Sequence, residues 1–141
     1  MLDIKLIREN PNFVRSNLDR RKKPKFLKML DEVITADEQW RQFKSEEDSL
    51  RQKRNELTNS IKQLKKDGKS DQIPTVINEA KKIPGQIKEL EEQREQTKKQ
   101  RDTLLLQIPN LLHDSVPYGE DDKGNVTVET WGEKPSFPFE P

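Results

Sequence analysis

Mostly hydrophobic residues recur at alternating steps of three and four along two long stretches of the chain. This spacing places them on one stripe of an α-helix, and its persistence is typical of a coiled coil rather than of a disordered polar tract. The first seam consists of Val33, Ala36, Trp40, Phe43, Glu47, Leu50, Arg54, Leu57, Ile61 and Leu64. The second seam consists of Ile73, Val76, Ala80, Ile83, Ile87, Leu90, Arg94, Thr97, Arg101, Leu104 and Ile108.

The two seams match each other within one chain. Only a short polar turn, residues 67–70, separates them, so the two helices are expected to run antiparallel. Facing residues should then have numbers that add up to about 137, and Leu57 is expected to face Ala80. Glu47 falls within one layer of Arg94, which predicts an ion pair that fixes the register of the helices.

Prolines mark the predicted ends and the weak point of the helices. Asn10 and Pro11 are typical of a helix start, and Pro109 ends the second long helix. Pro84 lies inside that helix, where proline removes a backbone hydrogen bond and clashes with the preceding turn. We therefore predict a kink or break around residues 81–84. The other predicted helices run from Pro11 to about Arg21 and from about Lys25 to Lys66.

The pattern as a whole predicts an all-α fold: a long antiparallel two-helix coiled-coil hairpin on a small helical base. A short β-strand is predicted at 125–131, where apolar and polar residues alternate after a turn. The proline-rich residues 135–141 predict an extended tail. The predicted division is a helical base (1–32), a coiled-coil arm (33–108, with its tip at 67–72), and a loop, strand and linker (109–141).

The charge is unevenly distributed along a chain that is nearly neutral in total. Hydrophobic residues make up 29% and charged residues 38% of the sequence, which favours a long helix with a narrow seam over a compact globule. Residues 51–88 contain ten Lys or Arg and four Asp or Glu, a net charge of +6. A basic segment in a nearly neutral chain predicts a local anionic partner such as nucleic acid.

Several classes of chemistry find no support in the sequence. The five glycines are too scattered for a phosphate-binding loop, and a single histidine without any cysteine provides no metal cluster and no Cys–His pair. We predict no catalytic residue and no metal site. The chain has no stretch resembling a signal peptide or a membrane span, so we expect a cytoplasmic protein without membrane contact.

Cations concentrated on the distal arm are the candidate site. A rigid helical support with mobile ammonium groups suits phosphate contacts, although a coiled coil also keeps its outside charged for solubility alone. The lack of aromatic residues here argues against stacking on single-stranded bases and favours a double-helical RNA, which is read by shape, phosphate and 2′-hydroxyl. The predicted binding residues are Arg51, Lys53, Asn55, Lys62, Lys65, Lys66, Lys69, Lys81 and Lys82. Arg54 is expected to fold along the seam.

Two segments that flank the arm resemble one known family. Residues 1–11, with Val14 and Leu18, are similar to the start of seryl-tRNA synthetases. The segment Ile108-Pro-Asn-Leu-Leu-His-Asp-Ser-Val-Pro-Tyr-Gly119, followed by Asn125-Val and Trp131-Gly132, is similar to the part that follows the arm in that family. The resemblance covers essentially the whole chain and includes the order of its three parts.

The resemblance implies a tRNA-binding domain. In this family the arm grips the long variable arm and the elbow of tRNA-Ser and positions it for serylation by a separate class II catalytic domain. It implies that ATP and magnesium are used by that other domain, with no cofactor in this chain. It also implies a homodimeric parent, whereas the isolated chain is expected to be a monomer. The interruption at Pro84-Gly85 departs from the smooth second helix expected for the family.

Two readings without RNA remain open from the sequence. A protein-interaction coiled coil would predict apolar residues at the tip, but Lys65–Gln72 contains none. A homo-oligomeric structural coiled coil would require the seams to pair between chains. Sedimentation at low concentration would distinguish that arrangement from a monomeric hairpin.

Overall fold

The computed structural model of the protein describes residues 1–119 and 122–133. The chain forms two compact units, Met1–Leu111 and Leu112–Pro141. The first unit contains four α-helices and one short 3-10 helix, and the described residues of the second contain one short 3-10 helix. The α-helices are α1 (Ile4–Glu9), α2 (Pro11–Asp19), α3 (Pro24–Lys66) and α4 (Ile73–Gln107), and the 3-10 helices are Ser70–Gln72 and Asp122–Gly124. The predicted all-helical class is confirmed for the described residues.

Prolines set helix ends largely as predicted. Pro11 and Pro24 each occupy the first turn of a helix. Backbone N–H groups in that turn have no acceptor within the helix, so the N–H that proline lacks is not needed there. Asn10 precedes α2 as predicted, but its side chain makes no capping hydrogen bond. At the other end, Ile108 is extended, with ψ 128°, because the ring of Pro109 disfavours a helical residue before it.

The base of the first unit is built around one apolar cluster. The N-terminal residues belong to it: Leu2 and Ile7 are buried, and Ile4 and Leu6 pack against the cluster. The short helix α1, which the sequence did not predict, begins where the Asp3 side chain accepts a hydrogen bond from the Lys5 N–H at 2.8 Å. The buried members of the cluster are Leu2, Ile7, Val14, Leu18, Leu30, Val33, Leu105 and Ile108.

The helices α3 and α4 pack against each other and run in opposite directions. Ion pairs join them: Lys53, in the second half of α3, pairs with Glu79 near the start of α4, and Asp37, in the first half of α3, pairs with Arg101 near the end of α4. Because α3 has 43 residues, it is about 65 Å long. The pairs are Asp37 with Arg101, Glu47 with Arg94, Arg51 with Glu91 and Lys53 with Glu79.

The break predicted as one possibility in the second long helix is wrong, and the other possibility, a kink at Pro84, stays a prediction. Helix α4 is continuous from Ile73 to Gln107, with Pro84 inside it. Proline removes only one hydrogen bond, the one that its own backbone nitrogen would donate. Ile83 and Ile87 on either side of it are buried, with 2% and 7% of their surface exposed. Their burial holds the helix together across the proline, since each fully buried side chain of this size contributes about 1.5–3 kcal/mol.

The predicted strand at residues 125–131 is also wrong. Within residues 1–119 and 122–133 the structure contains no β-strand. Alternating apolar residues become a strand only when a neighbouring strand pairs with the backbone and a surface covers one face. Here the side chains of Val128 and Trp131 are 97% and 96% exposed. The predicted tail, 135–141, lies outside the described residues.

Candidate nucleic-acid interface

A carboxylate buried between α3 and α4 ties the two helices together in the middle of the arm. Glu47 is 3% exposed. Its Oε2 lies 3.2 Å from Arg94 Nε, so the ion pair predicted from the sequence is present. Neither of these two atoms has a hydrogen-bond partner in the described part of the chain, so the contact is one of charge rather than of directional bonding. The other carboxylate oxygen lies 2.5 Å from Arg51 Nη2.

Two of the predicted binding residues are already engaged in ion pairs within the arm. Arg51 Nη2 also lies 2.8 Å from Glu91 Oε1, and it thus bridges two carboxylates. Lys53 Nζ lies 2.6 Å from Glu79 Oε1. Their charges are partly neutralised before any ligand arrives. They have less capacity to attract phosphate than an unpaired cation at the same place.

The other seven predicted residues are exposed to solvent. No ion pair holds any of the six lysines among them within the described part of the chain. An unpaired ammonium group on a helical support can reach a phosphate without first losing a protein partner. These residues are Asn55, Lys62, Lys65, Lys66, Lys69, Lys81 and Lys82.

The turn at the tip presents several of these lysines. Helix α3 ends at Lys66, and Gly68 follows with a φ of +69°. The Lys69 N–H donates to the Leu64 carbonyl at 3.0 Å, which is the closing bond of a glycine-terminated helix end. Lys65 and Lys66 in the last turn also oppose the negative end of the helix dipole, so part of their role is structural.

Arg54, which was expected to fold along the seam, is not covered there. Its side chain is exposed, and the seam residues on either side of it, Leu50 and Leu57, are only partly buried. Two helices without a third cover a seam position from one side only. A long guanidinium side chain at such a position can therefore extend into water. Lys88 on α4, which was not among the predicted binding residues, is also exposed.

The arm joins the base through a second buried carboxylate, Asp37, which was not among the residues predicted from the sequence. Asp37 is 2% exposed. Both of its oxygens accept hydrogen bonds from Arg8 at 2.7 Å, and Arg101 Nη1 donates to one of them at 2.9 Å. The guanidinium groups of Arg8 and Arg101 lie 6.0 and 5.3 Å from the centre of the Trp40 ring. Asp37 and Arg101 have numbers that add up to 138, so the predicted register already indicated this pair.

The environment of Asp37 favours its charged form. Burial alone would raise the pKa of this carboxyl group. The hydrogen bonds from Arg8 and Arg101, together with their positive charges, outweigh burial and place the pKa of Asp37 below its ordinary value. The base of the arm therefore contains a permanently ionised, hydrogen-bonded anchor at neutral pH.

The described residues hold no helix that is both long enough and apolar enough to cross a membrane. Over the same residues, histidine and acidic side chains do not come together in groups of three that could hold a metal ion. What the site offers chemically is positive charge on a long helical support.

Comparison with known proteins identifies the family. The sequence profile described as the seryl-tRNA synthetase N-terminal domain matches residues 1–112. The chain is 38% identical over its full length to a serine–tRNA ligase of Pseudothermotoga lettingae, and 42% identical to that of Thermotoga petrophila. It spans 33% of the length of each of these relatives.

A solved structure shows the same fold. The crystal structure of seryl-tRNA synthetase from Pyrococcus horikoshii, complexed with ATP, superimposes with a TM-score of 0.84 at 38% sequence identity. The similarity covers 94% of this chain and 29% of that one. The chain belongs to the family of seryl-tRNA synthetase N-terminal domains.

Proposed function

We propose that this chain is the tRNA-binding part of a serine–tRNA ligase, and that α3 and α4 form its antiparallel coiled-coil arm. The ion pairs between the two helices and the family membership support this reading. The proposal includes Leu57 lying opposite Ala80 across the arm. It also includes the division of the chain into a base (1–32), an arm (33–108) and a following segment (109–141).

The ligand is proposed to be tRNA-Ser, gripped at its long variable arm and its elbow. Exposed lysines without ion-pair partners carry this proposal: Lys62, Lys65, Lys66, Lys69 and Lys81. Double-helical RNA presents closely spaced phosphates and a shape that a protein recognises without reading bases. A long helical arm with cations near its tip is suited to that surface, and Asn55 adds a neutral hydrogen-bonding group.

The remaining chemistry is proposed to lie outside this chain. A parent about three times as long would activate serine with ATP and magnesium in a separate class II catalytic domain and transfer it to the tRNA. In that arrangement the arm binds and orients the tRNA and performs no bond-making step. We also propose that the isolated chain is a monomer, that the parent is a homodimer, and that it works in the cytoplasm.

A binding titration tests the proposal. The 141-residue chain is titrated with tRNA-Ser and with a tRNA-Ser that lacks the long variable arm, and the same is done for the charge-reversed variant Lys62→Glu/Lys65→Glu/Lys66→Glu. We expect the unchanged chain to bind intact tRNA-Ser much more tightly than the shortened RNA, and the variant to lose this preference. Equal affinities in all four combinations would contradict both the target and the surface. Circular dichroism of the variant checks that its helices are intact.

A further inference from the structure

Two ion pairs between α3 and α4 mark two different flanks of the arm. On one flank Arg51 lies 2.8 Å from Glu91, and on the other Lys53 lies 2.6 Å from Glu79. Arg51 and Lys53 are two positions apart, which is about 200° around a helix. The two ion pairs therefore lie on opposite sides of the seam. We name the sides the Arg51 flank and the Lys53 flank.

Apart from the Arg51–Glu91 ion pair, the Arg51 flank carries cations that make no ion pair within the described part of the chain. On α3 the stripe continues from Arg51 toward the tip in steps of three and four, so its members lie on one side of the helix. On α4, Lys81 and Lys88 precede Glu91 by ten and three residues and share its stripe. All of these side chains are exposed: Arg54, Thr58, Lys62, Lys65, Lys81 and Lys88.

The Lys53 flank has the opposite character. Its α3 stripe runs in steps of three and four through Lys53, Glu56, Ser60, Gln63 and Asp67. Gln52 donates to Glu56 at 2.8 Å and Gln63 donates to Asp67 at 3.1 Å.

The distribution of acidic residues completes the contrast. Residues 51–88, all of which the structure describes, contain four acids. Glu56, Asp67 and Glu79 lie on the Lys53 flank, and Asp71 lies in the 3-10 helix of the tip. The cation Lys82 follows Glu79 by three residues and so belongs to the Lys53 flank.

We propose that the RNA backbone lies along the Arg51 flank only, and that Arg54 and Lys88 contact its phosphates. This inference rests on the proposed function. Five cations on this flank make no ion pair within the described residues and repel one another in the free protein, and a polyanion relieves that repulsion. On the Lys53 flank the carboxylates of Glu56 and Asp67 would repel phosphate, and Lys53 is already paired. The inference adds two contacts and removes Lys53 and Lys82 from the binding surface.

Matched double variants of the full chain test this inference. Arg54→Gln/Lys88→Gln removes two positive charges from the Arg51 flank, and Lys53→Gln/Lys82→Gln removes two from the other flank. Affinity for tRNA-Ser is measured as a function of salt concentration. We expect the first variant to bind more weakly and to lose about 2 from the slope of log K against log[salt], because each phosphate contact contributes about one unit. The second variant should keep the slope of the unchanged chain.

Equal losses for the two variants would overturn the one-flank inference and leave tRNA binding itself intact. A larger loss for Lys53→Gln/Lys82→Gln would also overturn it. Failure of the unchanged chain to bind tRNA-Ser would refute the proposed function, and the inference with it. The single variants Lys88→Gln and Lys82→Gln, both at exposed and unpaired positions on α4, repeat the comparison without breaking the Lys53–Glu79 ion pair.

Discussion

Replacing Asp37 with alanine should destabilise the protein strongly, because it leaves cations without their shared carboxylate. Removing one partner of a buried ion pair typically costs about 3–5 kcal/mol. Arg101 has a side chain only 10% exposed and retains its two hydrogen bonds to Asp102, whereas the Arg8 side chain is 32% exposed and can turn to water. Both features reduce the penalty, so we expect Asp37→Ala to lower the free energy of unfolding by about 3 kcal/mol.

Urea unfolding followed by circular dichroism at 222 nm measures this change. The matched control is Asp31→Ala, which removes the carboxylate of an exposed pair with Arg15. Exposed pairs contribute about 0–1 kcal/mol, so the control should lie close to the unchanged chain. If Asp37→Ala cost no more than Asp31→Ala, the claim that Asp37 anchors the arm to the base would be refuted.

Three further predictions concern stability. Gly68→Ala should lower the free energy of unfolding by about 1 kcal/mol, because Gly68 has a φ of +69°. Gly85→Ala in the helix interior should instead raise it by about 0.5–1 kcal/mol. Urea midpoints that shift in the same direction for both variants would contradict this. Because the folded pKa of Asp37 is lowered, its stabilising contribution is present above its unfolded pKa of about 3.9 and is lost as the pH falls through the folded value. Thermal unfolding of Asp37→Asn should therefore depend less on pH below about 4 than that of the unchanged chain. Pro84→Ala should raise the midpoint of thermal unfolding, since it restores a helical hydrogen bond at an exposed position, and a lowered midpoint would show that Pro84 packs favourably.

The helices could be predicted from the sequence because their signals are local and regular. The spacing of three and four residues predicted which face of α3 and which face of α4 are in contact. The constant sum of facing residue numbers predicted the contact between Glu47 and Arg94. The break at Pro84 was predicted wrongly because the preference of one residue was weighed without the burial of Ile83 and Ile87 around it. The strand at 125–131 failed because alternation does not show whether a pairing partner exists.

The site could be predicted only in part. Sequence showed that residues 51–88 are basic, but not which cations are neutralised, because ion pairs such as Arg51 with Glu91 depend on the side of the helix that each residue occupies. Arg54 was assigned to the seam by its heptad position, whereas the exposed side chain reflects how little a two-helix arm covers there. At the Asp37 anchor, the pair with Arg101 follows from the register of the two long helices, whereas the hydrogen bonds from Arg8, 29 positions away in α1, do not.

The salt dependence of tRNA-Ser binding tests the central claim most directly. If cations on the arm neutralise about five phosphates, log K should fall against log[salt] with a slope of about −4.5, which weakens binding by roughly 10³-fold between 50 and 200 mM salt. The measurement uses the unchanged 141-residue chain and a filter-binding or fluorescence titration. A slope near −4.5 is the predicted result. Tight binding with a slope near zero would contradict recognition of phosphates by the arm.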